Sequence, residues 1–170
     1  TLIANNRCSG AGAKFWIGGG LMTEYPNSSA ETITIRDNVL EGYGEADVAR
    51  VPDCPNNGIG IANPPEKVTH NVRIVNNTIR NFLYDGIQIT GPTDNFAIED
   101  NLIERTIPSG RQLNGISLQG DAGNVITNGV IRRNLIRGKF DGIYLSGNGG
   151  TIKDVTLEEN ALVAIGRDAL

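Results

Sequence analysis

Asparagine recurs six times in this 170-residue chain inside one fixed frame: an apolar residue, two spacers, Asn, one spacer and a second, mostly apolar residue. The frames are Ile3-Asn6-Cys8, Ile35-Asn38-Leu40, Ile74-Asn77-Ile79, Ile98-Asn101-Ile103, Ile131-Asn134-Ile136 and Leu157-Asn160-Leu162. Such a repeat restricts the fold more than local propensity does, because each unit can bury its apolar side chains only against its neighbours. Two residues before each frame stand Thr1, Ile33, Val72, Phe96, Gly129 and Val155, four of which are large and apolar. That is the alternation of a strand with one face toward a core. Each unit therefore reads as a strand, an Asn corner and a second strand. Asn suits the corner on two counts: it tolerates left-handed backbone geometry, and its amide can bond the same amide one coil above and below.

A second motif falls between the Asn corners. Asn57-Gly58-Ile59-Gly60-Ile61, Asp85-Gly86-Ile87-Gln88-Ile89, Asn114-Gly115-Ile116-Ser117-Leu118 and Asp141-Gly142-Ile143-Tyr144-Leu145 each place a turn residue and Gly before an alternating apolar strand, the third of each coil. Corner Asn residues are spaced by 32, 39, 24, 33 and 26, as expected when strands keep their length and connections carry the insertions. A β-sandwich of short strands has no reason to alternate the two motifs at fixed offsets. The usage fits too: 22 Gly, 19 Asn and 20 Ile accompany one Met, one Trp and one His, a composition of tight turns and stiff, β-branched core positions. One domain over residues 1–170 is expected, an all-β solenoid of about five coils.

A formal charge of -4, from 15 basic and 19 acidic residues, offers no basic face for a phosphate backbone, so nucleic acid is not an expected partner. No apolar run approaches the roughly 20 residues that span a bilayer, and Thr1-Leu2-Ile3-Ala4 lacks the features of a signal peptide. The repeat runs to both ends of the sequence, which predicts that adjoining coils, or partner chains in a homo-oligomer, cap the solenoid.

Segments such as Val72-Arg73-Ile74-Val75-Asn76-Asn77-Thr78-Ile79 and Asp141-Gly142-Ile143-Tyr144-Leu145-Ser146-Gly147 resemble the generic repeats of the right-handed parallel β-helix, or pectate-lyase-like, superfamily. The resemblance covers essentially the whole chain. It implies a single-stranded right-handed parallel β-helix and an extracellular or cell-surface protein acting on an extended polysaccharide as a lyase, epimerase or glycoside hydrolase. The alternative it implies is a non-catalytic polysaccharide-binding or structural segment of a tailspike or adhesin. The Gly-His-Gly, Asn-Thr-Asp and Arg-Ile-Lys set of polygalacturonases is missing, and so is the Asp-Gly-x-Asp arrangement of alginate epimerases.

By the same resemblance, the Asx-Gly-Ile strands form the sheet that carries the substrate groove. With Ile87 and Ile89 inward, Gln88 and Thr90 face outward, together with Gly60 and Ala62, Ser117 and Gln119, and Tyr144 and Ser146. Asp85 and Asp141 stand at the strand mouth two coils apart, about 10 Å by the spacing of strands. They read either as a carboxylate pair near the spacing of inverting glycosidases or as turn formers bonding their own backbone. The long connection of residues 42–56 brings Tyr43, Glu45, Asp47 and Arg50 beside the groove, and the excursion from Thr106 to Leu113 brings Arg111. Lyases and epimerases of the superfamily need a base near the C5 proton and a cation for the uronate, roles open here to Arg50, Lys67, His70, Arg111, Lys139 and Tyr144. For His70, in the connection beyond the strand, a surface-turn role is the competing reading. Trp16 is either a sugar-stacking platform or core.

Glu45, Asp47 and Asp53 offer oxygen ligands for calcium, but not at the spacing of a calcium loop, and no cofactor or metal is expected. Cys8 occupies an inward position and reads as a small buried hydrophobe, with Cys54 far away in the long connection.

Overall fold

A computed structural model describes residues 1–9, 15–18, 32–42, 57–82, 84–106, 114–138 and 141–163, with the backbone alone for 15–18. These residues build three parallel sheets. Sheet A stacks β1 (Leu2–Ala4), β4 (Ile33–Arg36), β7 (Thr69–Val75), β10 (Thr93–Glu99), β13 (Val125–Arg132) and β16 (Thr151–Glu158). Sheet B stacks β2 (Arg7–Ser9), β5 (Val39–Glu41), β8 (Thr78–Arg80), β11 (Leu102–Glu104), β14 (Leu135–Arg137) and β17 (Ala161–Val163). Sheet C stacks β3 (Phe15–Gly18), β6 (Ile59–Ala62), β9 (Ile87–Thr90), β12 (Asn114–Gln119) and β15 (Asp141–Ser146). Every strand pairs with the one three further along, the topology of a right-handed parallel β-solenoid. Four turns separate the first and last strands of sheet C, close to the expected five coils. A sandwich is excluded, since the described strands pair in parallel throughout.

The inward rows follow the repeat. Ile35, Ile74, Ile98 and Ile131 stack in sheet A, Leu40, Ile79, Ile103 and Ile136 in sheet B, and Ile59, Ile87, Ile116 and Ile143 in sheet C, all at most 2% exposed. Cys8 is half-buried against this core and carries a free thiol. Where two sheets converge, space runs out. A Cβ on Gly86 would lie 2.7 Å from the Gly115 carbonyl oxygen and overlap the Ile103 side chain, and one on Gly115 would lie 2.6 Å from the Gly142 oxygen. The Gly of the Asx-Gly-Ile motif is thus set by close approach of sheet C to sheet B; these glycines do not have positive φ.

The Asn corners form one continuous column. Nδ2 of Asn6, Asn38, Asn77, Asn101 and Asn134 donates to Oδ1 of the next Asn at 2.9–3.0 Å. The backbone N–H of each donates to the same oxygen. Asn38, Asn77, Asn101 and Asn134 are each 1% exposed, so these bonds satisfy groups that water does not reach. The corner geometry corrects one expectation: the left-handed residue is the one before the column Asn. Asn5, Asp37, Asn76, Asp100, Arg133 and Glu159 have φ of 53–59°. The column Asn is selected for its amide, and its neighbour absorbs the backbone strain, even where that neighbour is Arg or Glu.

A second left-handed column, Asn71, Asn95, Asn128 and Asp154, bends the long strands of sheet A. Around it the inward residues of β7 step from Thr69 to Val72 to Ile74, an extra residue that turns the chain while both ends face the core. It also bears on His70, which lies in β7 and not in the connection where the sequence reading placed it.

Candidate functional site

The outer face of sheet C is built from two rows in strict register. Gly60, Gln88, Ser117 and Tyr144 form one, with the backbone of Trp16 in register beside them, and Ala62, Thr90, Gln119 and Ser146 the other, with the backbone of Gly18 in register. The rungs repeat at about 4.8 Å. Gln88, Thr90, Gln119 and Ser146 are half-buried, and Tyr144 is 36% exposed. Ser117 departs from its expected outward exposure: it is 0% exposed, and its hydroxyl accepts from Gln119 Nε2 at 2.8 Å. Gln88 Oε1 accepts from Asn57 Nδ2 at 2.7 Å. These bonds hold the Gln88 and Gln119 side chains in place through Oε1 and Nε2 respectively.

At the strand mouth, Asn57, Asp85, Asn114 and Asp141 make a third column. Exposures of 3%, 1%, 6% and 4% put all four side chains inside the protein. Asn57 Oδ1 accepts the Asp85 backbone N–H at 3.0 Å; Asp85 Oδ1 accepts both the backbone N–H and Nδ2 of Asn114, at 3.0 and 2.9 Å. Alternation of amide and carboxyl lets Asn114 donate into Asp85, while Asn57 donates to Gln88. These bonds run from coil to coil and not to the residue's own backbone, and they occupy the face of Asp85 toward its neighbour. Acid–base chemistry by Asp85 and Asp141 requires substrate to reach carboxyls that are almost fully enclosed.

Arg50, Arg111, Tyr43, Asp47, Glu45, Asp53, Cys54 and Lys139 lie outside the described residues, as does the side chain of Trp16. Among the described residues no three His, Cys, Asp or Glu side chains converge as a metal site. A cavity of about 410 Å3 at the last rung of sheet C is lined by Leu145, Gly147, Gly150, Thr151 and Ile152.

The opposite edge of sheet C leads through Lys67 to His70. His70 Nδ1 lies 3.3 Å from Asp94 Oδ2, and Asn128 Nδ2 donates to Asp94 Oδ1 at 2.8 Å. The Asn128 bond, aided by His70, holds the Asp94 carboxyl below the ordinary aspartate value of 3.8. Asp100 is lowered by its Arg133 bonds, and Asp37 by bonds from Asn76 and then Arg36. Groups depressed in the folded state contribute stability above the unfolded value and lose it as pH falls through the folded one. Stability is therefore expected to hold down to about pH 4 and to decline below it. Urea melts across that range check this: Asp94→Asn combined with Asp100→Asn should flatten the decline, and an unchanged slope would assign the acid sensitivity to other groups.

A feature the sequence reading missed is the segregation of charge. Three residues after the corner Asn, sheet B carries Glu41, Arg80, Glu104 and Arg137 in register, and Arg80 Nε meets Glu104 Oε1 at 2.5 Å. In sheet A, Glu99 is 3% exposed, with Arg132 Nε at 2.5 Å and Arg73 Nη2 at 3.2 Å. The signal was available as opposite charges at one offset from successive corners. The outward residues of sheet C, by contrast, are uncharged in every described rung.

No protein-family model, curated protein or solved structure matches this chain.

Proposed function

We propose that this chain engages an extended polysaccharide along the outer face of sheet C, as proteins of the pectate-lyase-like superfamily do. The observation that carries the reading is the pair of in-register rows of hydroxyl and amide side chains, Thr90, Gln119 and Ser146 beside Gln88 and Tyr144, with the enclosed Ser117 hydroxyl accepting from Gln119. Their rung repeat of about 4.8 Å is close to the length of one pyranose ring. Amides and hydroxyls held half-buried on a rigid sheet can exchange hydrogen bonds with sugar hydroxyls at small entropic cost, and an exposed tyrosine ring offers a stacking platform.

Of the two forms this function can take, binding without turnover has the better support from the described residues, because Asp85 and Asp141 are enclosed in the turn column. A lyase, epimerase or hydrolase reading rests on Arg50, Arg111 and Tyr144, with Tyr43 and Asp47 as substrate contacts. Titration against a panel of polysaccharides, with absorbance near 235 nm and reducing ends followed in parallel, separates the two. Binding without product formation is expected. Tyr144→Ala and Gln119→Ala should each weaken it by about ten-fold, equivalent to roughly 1.4 kcal/mol. Product formation lost on substituting Arg50 or Arg111 would establish the enzyme instead, and binding unaffected by both sheet C variants would remove the groove.

A further inference from the structure

We infer that the polysaccharide taken by sheet C is uncharged, a neutral glycan and not a polyuronate. The inference rests on the polysaccharide reading above and sharpens it by electrostatics. Each described outward residue on the sheet, Gly60, Ala62, Gln88, Thr90, Ser117, Gln119, Tyr144 and Ser146, is uncharged. The described charged groups that fringe the sheet are balanced in sign. Glu66 and Asp121 lie in the connections beyond it, against Lys67 there and Arg105 on the approach to β12, while Asp85 and Asp141 at its mouth are enclosed. Five of the described arginines are held elsewhere: Arg73 and Arg132 hold Glu99, Arg80 holds Glu104, Arg36 holds Asp37 and Arg133 holds Asp100. A uronate chain laid on this face would surrender part of the hydration of its carboxylates against amides and hydroxyls, and the described outward rows hold no cation to offset the loss. A neutral glycan brings only hydroxyls, which the glutamines, Thr90, Ser146 and the Tyr144 ring can match.

The test uses the full chain and two forms of one polymer, polygalacturonate and the same polymer after carboxyl reduction to the neutral galactan, alongside neutral glucans and mannans of several linkages. Titrations are run at ionic strengths of about 0.01 and about 1 M, where the Debye length is roughly 30 and 3 Å. The expected result is that a neutral glycan binds about ten-fold or more tighter than the polyuronate, with an affinity that salt changes by less than about two-fold. Gln119→Lys, which places a cation on the same face, should raise polyuronate affinity and make it salt-sensitive. Tighter binding of polygalacturonate by the unaltered chain, lost at high salt, would overturn the neutral specificity and leave the polysaccharide reading standing. If no polymer binds at either ionic strength, both fall together.

Discussion

Asn101→Ala is expected to lower the unfolding free energy by roughly 3–4 kcal/mol, an effect that truncation of Asn77 or Asn134, with the same set of bonds, should match. Asn101 Oδ1 accepts the Asn77 backbone N–H and Nδ2 at 2.9 and 3.0 Å. Its Nδ2 donates to Asn134 Oδ1 and to the Ile74 and Glu99 carbonyls, at 3.0, 2.9 and 2.9 Å. Truncation strands the Asn77 N–H in a site 1% exposed and withdraws a donor from three acceptors. Each such buried group costs about 1–3 kcal/mol, against a total stability of about 5–15 kcal/mol. Asn6→Ala, at an exposed corner, should cost about 1 kcal/mol or less. Asn101→Asp keeps the acceptor but turns its second oxygen on three acceptors. Its carboxyl should titrate high in the folded state, so that this variant gains stability as pH falls where the unaltered chain loses it. Urea unfolding of the four proteins at neutral and acid pH decides the matter; equal costs at Asn6 and Asn101 would mean that the column is not a cooperative element.

Gly129→Val should be nearly as damaging and, unlike the loss of Asn101, repairable. Gly129 sits in the inward row of Ile33, Val72, Phe96 and Val155, each of which has a large side chain. A Cβ there would fall inside the Phe96 ring, which fills the space that glycine leaves. Overpacking of this kind costs about 3 kcal/mol, and Phe96→Val alone, which opens a void, costs roughly 2 kcal/mol. Together the two substitutions give a row of valines with the lost volume moved one coil along. The double variant is expected to be more stable than the sum of the singles implies, by about 1–3 kcal/mol of coupling. Strict additivity in a double-mutant cycle would show that ring and glycine are not sharing one volume.

These two sites show what could be read in the sequence. The inward rows, the Asn column and the Asx-Gly strand starts each depend on side-chain identity, so register alone located them, and Gly129 already stood out as the small member of a large row. The left-handed residue at each corner was not legible at Arg133 or Glu159, because backbone strain there is imposed by the neighbouring coils and leaves no mark in residue type. The second bend at Asn71, Asn95, Asn128 and Asp154 had a signal, an Asx directly before the inward row, that was left unread. For the candidate site the limits are different. Outward direction follows from strand alternation, but exposure does not, and Ser117, Asp85 and Asp141 are outward or at the mouth and still enclosed. Enclosure depends on what the connections and neighbouring side chains cover.

The circuit from Asn77 to Asn101 closes in 24 residues, and the others take 32, 39, 33 and 26. In that shortest circuit β8 ends at Arg80 and β9 begins at Ile87; in the next, β11 ends at Glu104 and β12 begins at Asn114. Added length therefore accumulates on the connections into and out of sheet C, while the Asn column and its flanking charge pairs keep constant spacing. The column that stabilises the fold and the face proposed for recognition lie on opposite flanks of one tube. Insertions can accumulate on one flank without disturbing the bonds that the other requires, so the molecule can vary what it touches at little risk to whether it folds.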